Sequence, residues 1–169
     1  MKQFNNLNNN RGFTFIELIL YVSIVTIMLT AIIPFAWNII GSGAKSGTQQ
    51  EVFSQARFVS ERLKQEIRSA NGINSVSATS ISLNTPTDPT TVIDLLAGKV
   101  RIKYGAASVI NLNSDGTNVT SLVFTNYTSA DNKTKHIGFT LTITSNYSGS
   151  RQEYKETVTL RGSAEVRSN

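Results

Sequence analysis

Few residues in this chain carry chemistry that demands a reason, and the first of them is Glu17. From Phe13 to Ile40 there are 28 residues, and Glu17 is the only one with a formal charge. A carboxylate placed early in such a run is costly if the run enters lipid. Insertion scales put a charge at mid-membrane at roughly 2.5–3.5 kcal/mol, and less near the interface. Either something compensates Glu17, or it is a chance acid at the end of an ordinary anchor. Gly12 stands directly before the run, and a residue without a Cβ lets the backbone enter a narrow cleft in extended form.

The remaining candidates are weaker. His136 is the only histidine; it begins a strand pattern with no acid beside it and reads as structural or exposed. There is no cysteine, which excludes a disulfide framework and thiolate metal sites. Asp88, Asp94, Asp115 and Asp131 fall in or near turns without metal-ligand spacing, so no metal is assigned. Lys99, Arg101 and Lys103 alternate along a strand. Outward charge is the ordinary reading there, and a nucleic-acid stripe lacks the aromatic interleaving that single-strand binding uses. Asn118, Asn126, Asn132 and Asn146 each satisfy N-x-S/T, as chance allows in so Asn-, Ser- and Thr-rich a chain. No nucleophile–base set, phosphate loop or zinc pattern occurs. Nothing marks an enzyme or calls for a cofactor.

These residues must be held by a small number of elements. A chain of 169 residues accommodates one domain, or a smaller domain and a membrane segment. Residues 1–12 form a polar, Asn-rich leader. The apolar run after it is too long for a secretory signal core, and the small residue precedes the run rather than following it. Residues 13–40 suffice for a spanning helix: 28 residues reach ~42 Å against ~30 Å of hydrocarbon. Lys2 and Arg11 precede the run and Lys45 follows it, so the positive-inside rule favours a cytoplasmic N-terminus with the bulk outside. Pro34 inside the run predicts a kink or a locally melted turn.

Gly41 to Gly47 is a helix-weakening patch at which an interruption is expected. Beyond it Val52, Ala56, Val59, Leu63, Ile67 and Ala70 form a one-sided helical stripe. Arg57, Glu61, Arg62, Lys64, Glu66 and Arg68 read as the solvated face. Asn71-Gly72 is a stop signal, so residues 41–71 are read as an amphipathic continuation of the helix. From Ser75 the period changes to two. Strands are expected around Ile81 and Leu83, at Val100–Tyr104, at Val119–Asn126, at Ile137–Ile143 and at Tyr154–Leu160, with a short edge element at Val92–Leu96. Asp115-Gly116 suggests a turn using positive φ, and Arg161–Asn169 shows no pattern. The fold class is α+β: a long helix whose stripe packs on an antiparallel sheet formed from residues 72–169.

Gly12-Phe13-Thr14-Phe15-Ile16-Glu17, with Pro34 further along the helix, resembles the class III signal of type IV pilins and pseudopilins, the prepilin cleavage and methylation motif. The last hundred or so residues are loosely similar to minor pseudopilins of the J type or related minor pilins, through strand order and Leu160-Arg161-Gly162. The resemblance implies a lollipop-shaped subunit of the bacterial inner membrane. It implies cleavage between Gly12 and Phe13 by a membrane aspartyl protease, the prepilin peptidase, followed by N-methylation of Phe13. The new amine, with a reference pKa near 8, would offset the Glu17 charge, from a neighbouring subunit or from the same helix. Other pilin or pseudopilin subunits, an inner-membrane assembly platform and membrane lipid are the implied partners. The filament would serve type II secretion, DNA uptake or a type IV pilus. The alternative is a single-pass anchored adhesin or DNA-binding module, which would tolerate replacement of Gly12 and Glu17.

Overall fold

A computed structural model of the chain describes residues 12–131 and 133–166. The leader residues 1–11, with Lys2 and Arg11, and the acceptor Asn132 lie outside the described residues. One helix, α1, runs over Phe15–Ser69, followed by strands β1 (Gly72–Val76), β2 (Ser80–Asn84), β3 (Thr91–Leu96), β4 (Lys99–Tyr104), β5 (Ile110–Asn111), β6 (Thr117–Asn126), β7 (His136–Ser145) and β8 (Thr157–Glu165). The chain divides into two compact units, one ending at Gly41 and the other beginning at Ser42.

The first unit is helical from Phe15, and the helix continues through Pro34. The expected interruption at Gly41–Gly47 does not occur. A glycine in a helix interior costs about 1 kcal/mol relative to alanine, and extending a formed helix needs only one residue fixed per added bond. The Thr48 hydroxyl adds a bond to the Ala44 carbonyl at 3.1 Å.

In the second unit the stripe does what its spacing predicts: Val52, Ala56, Val59, Leu63, Ile67 and Ala70 are buried. They share one core with Ile81, Leu83, Ile93, Val100 and Ile102 of the first sheet and Leu122, Ile137, Leu141 and Ile143 of the second. Burying an aliphatic side chain of this size contributes about 1.5–3 kcal/mol. Glu66 departs from the solvated-face expectation, being 6% exposed. It accepts from the Tyr104 hydroxyl at 2.7 Å and pairs with Arg62 at 2.8 Å, and Arg62 also donates to the Tyr104 oxygen at 2.8 Å. A charge of this kind is tolerable in a low-dielectric site because both partners arrive with it.

The single expected sheet is two antiparallel sheets, ordered β1-β2-β3-β4-β5 and β6-β7-β8. Backbone bonds from Val119 to Gly98 and from Phe124 to Ala78, both 2.9 Å, tie β6 to the first sheet. The short element at 92–96 is not an edge: β3 is the central strand of its sheet, paired on both sides. The C-terminal stretch that showed no pattern continues β8 to Glu165, in register with β7. The positive-φ turn is also elsewhere. Ala97 (φ 50°) and Gly98 (φ 74°) join β3 to β4, and Asp115-Gly116 has no positive φ. Instead, Asn113 organises its loop from within: its Oδ1 accepts from the Val100 amide at 2.9 Å, and its Nδ2 donates to the Thr117 carbonyl at 3.0 Å.

Candidate functional site

Helix α1 begins where its sequence permits. Thr14 precedes the first helical residue, and its Oγ1 accepts from the Glu17 amide at 3.3 Å, while its carbonyl accepts from Leu18 at 3.2 Å. Thr14-x-x-Glu17 has the spacing of a capping box, in which the threonine caps the third amide of the helix. An acid in the first turn also suits the positive end of the helix dipole. Thr14 is thus a positioning residue that the chemistry-first reading passed over, although its spacing to Glu17 was a usable signal.

From residue 12 to residue 40 every side chain is exposed except that of Glu17, which is half-buried. Tyr21, one turn further on, donates its hydroxyl to Glu17 Oε1 at 3.5 Å, a long contact. The Phe13 ring stands edge-on to Tyr21, with centroids 6.4 Å apart. The hydroxyls of Ser23, Thr26 and Thr30 each donate to the carbonyl four residues back, at 2.8 Å. Their hydrogen-bonding needs are therefore met within the helix, as an apolar medium requires. The Glu17 carboxylate differs. An ionised carboxylate offers about four acceptor positions, and among the described residues only the long Tyr21 bond occupies one of them. Gly12 is exposed, and a Cβ built there would meet nothing within 4 Å. Among the described residues no packing contact explains a glycine at that position.

The other sequence candidates do not converge. Asp94 is held by Arg101 through two bonds, Asp115 by Lys99 at 2.9 Å, and Asp131 by Ser129 and the Lys133 amide. Asp88 accepts from the Thr90 amide at 3.1 Å. Two of the three bases in the β4 stripe are therefore engaged by acids. Lys99 holds the Asp115 carboxyl below its ordinary range, chiefly through its hydrogen bond. His136 is half-buried beside the Tyr127 ring, with centroids 6.1 Å apart. Asn118 and Asn126 lie in β6, and Asn146 follows β7.

Helix α1 is long and apolar enough to cross a membrane. Residues 7–33 match the family model described as the prokaryotic N-terminal methylation motif. No curated protein and no solved structure matches the chain. The matched span contains Gly12, Phe13, Thr14, Glu17 and Tyr21 and ends one residue before Pro34. A motif of this kind implies processing by a prepilin peptidase and assembly with other pilin subunits. The methylation motif, read with a long N-terminal helix whose second half packs on antiparallel sheets, supports a likeness to type IV pilin and pseudopilin subunits.

Proposed function

We propose that the chain is a minor pilin or pseudopilin, of the J type or a related kind, held in the bacterial inner membrane with its N-terminus cytoplasmic and then added to a filament. The filament belongs to a type II secretion pseudopilus, a DNA-uptake pseudopilus or a type IV pilus. Prepilin peptidase cuts between Gly12 and Phe13, and Phe13 is N-methylated. The observation that carries the reading is Glu17, a half-buried carboxylate with acceptor capacity that the described residues leave unused, in the otherwise exposed apolar segment 12–40. The Phe13 amine of a neighbouring subunit supplies the missing cation. Repeated pairing of this head-to-tail sort does not close on itself and builds a helical polymer. Pro34 bends the helix within the filament core.

Gly12→Val and Glu17→Leu separate the steps. None of the described residues packs against Gly12, so the first variant folds, but it accumulates with its leader attached, as N-terminal mass spectrometry reads directly. The second matures and carries N-methylated Phe13 but is missing from sheared filaments. Normal cleavage of the first and normal incorporation of the second would leave only an ordinary membrane anchor.

A further inference from the structure

The edges of the two sheets are not alike. An unpaired edge offers a row of backbone N–H and C=O groups to any other strand, and native proteins blunt such edges with bulges, short strands or a cover. Strand β1 has a bulge between Ile73 and Ser75, and β5 is two residues long. The outer side of β6 is tied to the first sheet through Val119 and Phe124. Strand β8 has none of these devices. It runs for nine residues without proline, in unbroken register with β7 from Thr157 to Glu165.

Which β8 groups are free follows from the ladder. The Ser145 amide donates to the Glu156 carbonyl, and the Val166 amide donates to the Lys135 carbonyl. With no register shift between them, the even-numbered residues of β8 turn their backbone toward β7. Thr157, Thr159, Arg161, Ser163 and Glu165 turn theirs outward, and among the described residues no strand pairs with them. Two clefts lie between β8 and the second half of α1. In one, Phe53, which is 46% exposed, stands with Glu156 and Val158. The other, of about 390 Å³, is lined by Lys64, Arg68, Arg161, Gly162 and Ser163 and by no acid. Arg68 and Arg161 form no ion pair among the described residues, and Glu61 on the same helix is taken by Lys64 at 2.6 Å.

We infer that β8 is a docking edge for an extended segment of another protein, which joins the three-stranded sheet as a further strand. The guest sets an apolar side chain beside Phe53 and Val158, and carboxylates beside Lys64, Arg68 and Arg161. In strand addition of this kind main-chain bonds give affinity, and pockets for alternate side chains give specificity. Here one pocket asks for an apolar group and the other for negative charge. Val158 and Gly162 are separated by about 13 Å of strand, so the guest carries its apolar and acidic groups about four residues apart. The inference stands apart from the filament reading, since neither requires the other.

The test is a titration of the ¹⁵N-labelled full chain in detergent micelles with a capped peptide in which threonine alternates with valine, isoleucine, aspartate and aspartate in turn. At saturation, amide exchange should slow at Thr159, Arg161 and Ser163 and stay unchanged at their even-numbered neighbours, which β7 already holds. Ser163→Pro removes one outward N–H and leaves the β7 ladder intact, so it should keep the native spectrum and lose the peptide. Arg161→Glu should weaken binding roughly tenfold or more and move the preference to the same peptide with lysine in place of aspartate. Equal binding of the aspartate and lysine peptides, shifts that never saturate, or protection without the alternation would overturn the inference. Protection of the same three amides without peptide, rising with protein concentration, would assign the edge to a second copy of the chain and overturn it as well.

Discussion

The two halves of α1 share a backbone geometry and differ in everything their side chains do. In the first half Ile24, Leu29 and Ile33 are 47%, 50% and 52% exposed, whereas Val59, Leu63 and Ile67 in the second half are fully buried. Polar groups divide the same way. Ser23, Thr26 and Thr30 turn back on the helix's own carbonyls, while Gln55 accepts from the Ser114 amide in the loop before β6 at 3.2 Å and Arg62 donates to the Tyr104 hydroxyl on β4 at 2.8 Å. A helix apolar all round finds no core within its own chain and suits an apolar surrounding, whereas a striped one suits a sheet. Helix formation is common to both halves; the medium each is built for is not.

The largest test of that contrast is a pair of truncations. Leu63→Ala should lower the unfolding free energy of the second unit by about 2–5 kcal/mol. Leu29→Ala should leave it within about 0.5 kcal/mol. Denaturant midpoints in micelles read both, and equal losses would end the distinction. A smaller effect, about 1–2 kcal/mol, is expected for Tyr104→Phe, which removes the hydroxyl joining Arg62 to Glu66. Burial first, and then the hydrogen bond to Glu66, raises the Tyr104 phenol above its ordinary value of 10.0. The folded chain therefore holds this proton after the unfolded chain has released it. The associated stability is intact below pH 10 and is lost as pH rises from there through the folded value. Ultraviolet titration should show one late phenol, absent in Tyr104→Phe. The smallest change, a gain of about 0.5–1 kcal/mol, is expected for Gly47→Ala. A Cβ at Gly47 meets nothing within 4 Å, and slower amide exchange around it would register the gain.

The sequence made the regular parts plain and hid the parts held by polar contacts. Strand β7 was legible because Ile137, Phe139, Leu141 and Ile143 alternate without exception and are all buried. Its neighbour β8 was half-legible. Its inward positions after Leu160 are Gly162 and Ala164, too small to register as apolar alternation. They are small for a reason: a Cβ at Gly162 would lie 2.4 Å from the Phe139 ring. Strand β3 looked peripheral because Asp94 interrupts it, and only Arg101 on the adjacent strand makes that acid acceptable in a central strand. Glu66 was misread because its partner Tyr104 is 38 residues away, a distance no helical pattern reports. At the N-terminus Gly12, Phe13 and Glu17 stood out by type, whereas Thr14 and Tyr21 became informative only through their spacing to Glu17.

The unused acceptor capacity at Glu17 has a sign, and that gives association a direction. Two such carboxylates cannot satisfy each other, because each lacks the same thing. A copy must approach with a donor end against an acceptor end, so contacts made through this residue distinguish front from back. Any assembly built on Glu17 therefore has two unlike ends, one still offering an acceptor and one still offering a donor. Growth and capping are then different chemical events.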